Sequence, residues 1–152
     1  MKKILFIAAS IMFIISFSCS QDKDFGLGIM VGEPTGISAK WWISHTSAFD
    51  AGLAWSFMND GSLHMHGDYL WHNFDLVSPK IPFYIGIGGR IKFKNNKSLT
   101  EEKIGIRIPV GLDFFINEPT ADVFVEIVPL LDLTPKSVLT INGAVGFRYF
   151  FK

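Results

Sequence analysis

His64, His66 and His72, with Asp68 among them, are the residues whose types and spacing most suggest chemistry. Residues two apart on a strand share a face at about 7 Å, so His64 and His66 are two candidate ligands for one metal ion. A metal site needs three or four converging donors, and this spacing supplies two. The expectation is no metal and no cofactor: the imidazoles line a polar interior and hydrogen-bond to Asp50 or Asp68. A second candidate is His45-Thr46-Ser47, since a serine nucleophile needs a base in reach and a carboxylate to orient that base. Ser and Thr are also turn formers, and a turn with no catalytic residue is the expected reading. Gly86-Ile87-Gly88-Gly89 precedes no helical pattern, so it does not read as a phosphate loop.

What must position these residues is a chain that alternates nearly from end to end. Phe25, Leu27, Ile29 and Val31 share one face with Gly26, Gly28 and Gly32 opposite, and the same period of two recurs around 37–43, 49–57, 63–71, 83–93, 104–114, 123–131 and 139–151. Phe124, Val128 and Leu130 blur the seventh run. Turn chemistry separates the runs at Gly32–Gly36, Ser44–Ser47, Asn59-Asp60-Gly61, Asn117-Glu118-Pro119 and Thr134-Pro135-Lys136. The one long polar connection is Lys94 to Lys103, with room for a single helical turn at 99–103. Eight antiparallel strands with short turns predict an all-β, eight-stranded up-and-down barrel, because closure removes the free edges.

Composition sets the bounds. The chain has 152 residues, 49% of them hydrophobic and 18% charged, which suits one domain and excludes a disordered linker. Fourteen basic residues against fourteen acidic ones give no reason to expect nucleic acid as a partner. One cysteine excludes an internal disulfide. Met1-Lys2-Lys3, an apolar stretch from Ile4 to Phe17 and Ser18-Cys19-Ser20 have the layout of a secretory signal peptide over residues 1–20, leaving 25–152 as the barrel. Cleavage is expected after Ser20; the rival reading makes Cys19 a lipidated first residue.

Alternation does not say which face is outside; volume does. An eight-stranded barrel encloses little more than side chains, and the Phe, Trp, Ile and Leu set of one face is too large to fit inside. The opposite face is rich in glycine and sparse in charge, unlike a surface that meets water. The bulky face therefore meets lipid, making this a transmembrane β-barrel. Inward charges then need partners. Lys40, Arg90, Lys92, Arg107 and Arg148 can be set against Asp50, Asp68, Asp113, Glu126 and Asp132. With His64, His66 and His72 they are expected to form a lumen salt-bridge and polar network that plugs the barrel, so that it is not an open porin. Trp41, Trp55, Tyr69, Trp71, Tyr149 and Phe151 fall near strand ends on the lipid face, as aromatic girdles do. Both termini are expected on the periplasmic side, with the Lys94–Lys103 loop outside the cell. Pro109 and Pro129 lie inside proposed strands, where bulges or early strand endings are expected.

Gly146-Phe147-Arg148-Tyr149-Phe150-Phe151 resembles the assembly signal of bacterial outer-membrane barrels, with Gly146, Tyr149 and Phe151 as its matching positions; Lys152 and Ala144 depart from the pattern. The chain from 25 onward is similar to the small eight-stranded barrels of the OmpA-transmembrane and OmpX type. Gly28–Gly36 and Leu63–Leu70 are similar to a family of small uncharacterised barrels also found in spirochaetes. The resemblance implies location in the bacterial outer membrane and a structural or surface ligand or host-factor binding role. It implies outer-membrane lipid, the barrel assembly machinery and an extracellular protein ligand as partners. It transfers no catalytic residue. Two alternatives stand beside it: a lipid-modifying enzyme like the lipid A deacylases, which use a His, a Ser and an acid, and a periplasmic carrier of lipocalin type.

Overall fold

The alternating runs become strands in a computed structural model that describes residues 25–33, 35–56, 62–96, 99–117 and 120–151. The signal-peptide segment, the Cys19 question and the Asn59-Asp60-Gly61 turn lie outside the described residues. Nine strands follow in order: β1 (Phe25–Glu33), β2 (Thr35–Trp42), β3 (Ser47–Ser56), β4 (Ser62–Ser78), β5 (Ile81–Asn96), β6 (Leu99–Arg107), β7 (Val110–Ile116), β8 (Ala121–Asp132) and β9 (Val138–Phe151). All pairings are antiparallel, and they close: β1 pairs with β2 and β9, β4 pairs with β5, and β8 pairs with β9 and with both β6 and β7. β6 and β7 occupy one place in the ring, between β5 and β8, so the barrel has eight strand positions.

Its stagger can be read from the pairing. From Asp113, register partners run through Phe124, Gly146, Met30, Gly36, Ala54, His64 and Lys92. The circuit re-enters the broken strand at Lys103, ten residues from its start. That stagger, with eight strands, fixes strongly tilted strands around an interior just wide enough for side chains.

The face assignment follows burial. Leu27, Ile29, Ile37, Leu53, Ile87, Ile106, Val125 and Phe147 point outward and are exposed, while Lys40, Asp68, Asp113, Arg107 and Arg148 are buried. The interior is more apolar than a lining of glycines and matched ions: Met30, Leu70, Phe124, Val128, Leu130 and Phe150 are also buried within it. Thus the residues that blur the seventh run are interior filling. The aromatic belt is one-sided. Trp41, Tyr69, Trp71, Tyr149 and Phe151 gather at the end where β1 begins and β9 ends, the terminal end of the barrel, with Phe49 and Tyr69 centroids 5.2 Å apart and Tyr149 and Phe151 5.3 Å apart. Trp55 alone of the six sits towards the other end, opposite Thr35 and Leu63.

Two expectations about the backbone need correction. Pro109 does end a strand early, but neither proline makes a bulge. Arg107 faces Leu130 and Val110 faces Ile127, so the register is the same on both sides of the break. Gly86 N donates to Pro109 O at 2.8 Å and Ile108 N donates to Pro129 O at 3.0 Å. Each proline thus loses one bond of a two-bond pair and keeps the other. Secondly, Lys94–Lys103 is not a long loop with a helical turn. β5 continues to Asn96 and β6 starts at Leu99, with Lys94 opposite Glu101 and Asn95 opposite Thr100. The ladder simply continues, and polar residues suit a hairpin that has risen past the apolar band. At the other end, β4 extends to Ser78 after a register shift beyond Asn73, whose Oδ1 accepts from the Asp75 and Leu76 amides at 2.9 and 3.0 Å.

Candidate functional site

The interior is organised by three arginines at successive heights. Arg148, on β9 near the terminal end, is the most heavily bonded. Its Nε and Nη2 donate to Asp122 at 3.0 Å each, Nη2 donates to Asp113 at 2.9 Å, and Nη1 donates to Asp50. Lys40 Nζ also donates to Asp113, and His72 Nε2 lies 3.1 Å from the same carboxylate. Three carboxylates from β3, β7 and β8 therefore converge on two cations from β9 and β2. Burying these charges is costly, and forked, multiply bonded pairing is what offsets it. Aromatic rings close the cluster: Lys40 Nζ lies 4.7 Å from the Trp42 centroid and 5.2 Å from that of Tyr84, and Arg148 lies 4.1 Å from Phe124.

Midway, Arg107 pairs with Asp68 at 3.0 Å and with Glu126 at 3.4 Å, and the Tyr84 hydroxyl donates to Glu126 at 3.1 Å. Towards the loop end, Arg90 holds Asp132 by a fork, Nη2 meeting Oδ1 and Oδ2 at 2.6 and 2.7 Å. Lys92 faces inward beyond Arg90 on the same strand.

Space for these groups comes from glycines on the facing strands. A Cβ on Gly52 would meet the His66 ring, and one on Gly88 would meet the Asp68 carboxylate. Glycine here provides room for a bulky neighbour in a narrow cylinder.

The thirteen residues expected in the lumen network lie on the inward face, but their pairing differs in part. Among the described residues no hydrogen bond joins His64 or His66 to a carboxylate; their rings stand edge to face with centroids 5.5 Å apart, and no third donor from the described residues joins them. His72 reaches Asp113, where Asp50 or Asp68 was expected. Asp122 and Tyr84 were missed as network members. Asp122 had a signal, its inward parity on β8 with Glu126 and Asp132; Tyr84 had the same parity as Gly86 and Arg90 on β5. The His45 ring stacks on Phe74 with centroids 5.2 Å apart, and Ser47 N donates to Ser44 Oγ at 3.1 Å. No hydrogen bond among the described residues links His45 to Ser47 or to a carboxylate. Gly146 sits under the Phe124 ring, while Tyr149 and Phe151 face outward.

Above the Arg90–Asp132 pair the interior opens into a recess of about 420 Å³. Arg90, Lys92, Lys103, Asp132 and Glu33 line it, together with residues 138 and 140–142 of β9.

A family model described as "Protein of unknown function (DUF3996)" matches residues 12–151. No curated protein matches the chain. Among solved structures, the chain is similar to the N-terminal β-barrel domain of Pseudomonas aeruginosa OprF, with TM-score 0.69, 10% identity, 87% of this chain and 100% of that one covered. It is also similar to Neisserial surface protein A, with TM-score 0.58, 15% identity and coverage of 84% and 94%. A de novo designed transmembrane β-barrel matches with TM-score 0.56, 16% identity and coverage of 87% and 98%. At these identities the likeness is one of fold: a small transmembrane β-barrel.

Proposed function

The chain belongs to the DUF3996 family of proteins of unknown function, and from that premise we propose that it is an integral barrel of the bacterial outer membrane whose loop end binds ligands at the cell surface. The observation that carries this reading is the inverted distribution of side chains. Large apolar groups cover the outside of a closed barrel whose interior holds bonded charges, an arrangement stable only where the outside is solvated by acyl chains. The fold of OprF and Neisserial surface protein A supports it. Export through a cleaved signal peptide, and insertion by the barrel assembly machinery reading Gly146, Tyr149 and Phe151, belong to the same proposal.

The role is one of binding and structure, without catalysis. The filled lower interior leaves the loop end as the accessible surface, where an extracellular protein ligand would dock. Cell fractionation with gel electrophoresis of boiled and unboiled samples tests the reading. The protein is expected in the outer-membrane fraction as a band whose mobility changes on heating. Recovery in the soluble periplasmic fraction would instead favour a lipocalin-type carrier.

A further inference from the structure

The wall around the loop-end recess is uneven. β9 pairs with β1 from Phe151 to Gly143, where β1 ends at Glu33. Beyond it, residues 138–142 pair with β8 on one side, and no described strand pairs with them on the other. The recess therefore has a low side beside the free edge of β9. The outward residues of that edge, Leu139 and Ile141, are 72% and 70% exposed, the most exposed large apolar side chains of the described chain.

Inside, Lys92 on β5 and Lys103 on β6 are direct register partners, and both line the recess. Like charges directly opposite on neighbouring strands repel at a Cβ separation of about 5 Å. Of the two carboxylates that line the recess, Asp132 is held by the fork of Arg90, and Glu33 comes from the end of β1, so three cations besides that held acid face one further carboxylate. Two ammonium groups facing each other over a recess are a site for an anion that bridges them, and a phosphate has the charge and the acceptor oxygens to do so.

We propose that this recess binds the phosphate of an anionic membrane-lipid headgroup between Lys92 and Lys103, with the acyl chains leaving over the low side along Leu139 and Ile141. A membrane lipid, and not free phosphate, is the occupant, because the opening borders the apolar outer face of the barrel. The inference depends on the barrel lying in a membrane; it does not require that the loops bind a protein.

The test is native mass spectrometry of the folded full chain in detergent, titrated with phosphatidylglycerol and with phosphatidylcholine of the same acyl chains. One phosphatidylglycerol is expected to be retained at least tenfold more tightly than phosphatidylcholine. The Lys92→Gln/Lys103→Gln protein is expected to lose that preference, and Lys92→Arg/Lys103→Arg to keep it. Removing the repulsion should also raise the lipid-free melting temperature of the glutamine variant, which reports on folding independently of binding. Equal binding of the two lipids, an unchanged preference in the glutamine variant, or displacement of lipid by equimolar inorganic phosphate would overturn the proposal.

Discussion

Arg148 shows how a single side chain decides the chemistry of this interior. Asp50, Asp113 and Asp122 arrive from three strands, and one guanidinium reaches all three because it presents five donors in a plane. Arg148→Met should cost about 3–5 kcal/mol, since it leaves buried carboxylates with Lys40 as their nearest cation. Arg148→Lys should recover only part of that, because one ammonium cannot replace the fork. Urea unfolding in detergent micelles, followed by the gel shift of the folded form, measures both; a loss below about 1 kcal/mol for the methionine variant would contradict a shared hub. Gly52 and His66 make a complementary case of pure volume. Gly52→Val should destabilise by about 1–3 kcal/mol through the clash with the imidazole. The same valine placed in a His66→Ala background should cost far less, and the double-mutant cycle reads that coupling.

At the scale of elements, the ladder tolerates two prolines because they share one break. Ile108 and Pro129 form one pair, Gly86 and Pro109 another, and each retains the bond that the non-proline amide donates. Pro129→Val should change stability by no more than about 1 kcal/mol: a new ladder bond contributes roughly 0.5–1.5 kcal/mol, and the lost stiffness of proline in the unfolded chain offsets roughly 0.4–1 kcal/mol. A loss above about 2 kcal/mol in the same unfolding assay would mean that Pro129 shapes the strand itself. This break also marks where the sequence was legible and where it was not. Period-two alternation is local, so Ile104, Ile106 and Ile108 announce an outward face without knowledge of any partner. Register is not local. Which acid meets which base depends on a ten-residue stagger set by all eight strand positions together, so the inward parity of Asp122 does not by itself name it as the partner of Arg148. Likewise, polar residues from Lys94 to Lys103 look like a loop because the sequence does not say where the apolar band ends.

Taken as one body, the molecule is closed at one end and open at the other. An eight-stranded cylinder with this stagger leaves room for little beyond its own side chains. Arg148, Trp42, Tyr84 and Phe124 occupy the terminal half, Arg107 and Glu126 cross the middle, and the Arg90–Asp132 fork forms the floor of the recess at the loop end. An ion entering from the loop side therefore meets a floor made of paired charges, and to pass it must break those pairs. The chain is expected to give no steady conductance when the purified, folded protein is added to a planar lipid bilayer. Discrete, reproducible current steps from protein that also shows the heat-dependent gel shift would contradict the plugged interior, because a folded barrel would then contain a continuous aqueous path.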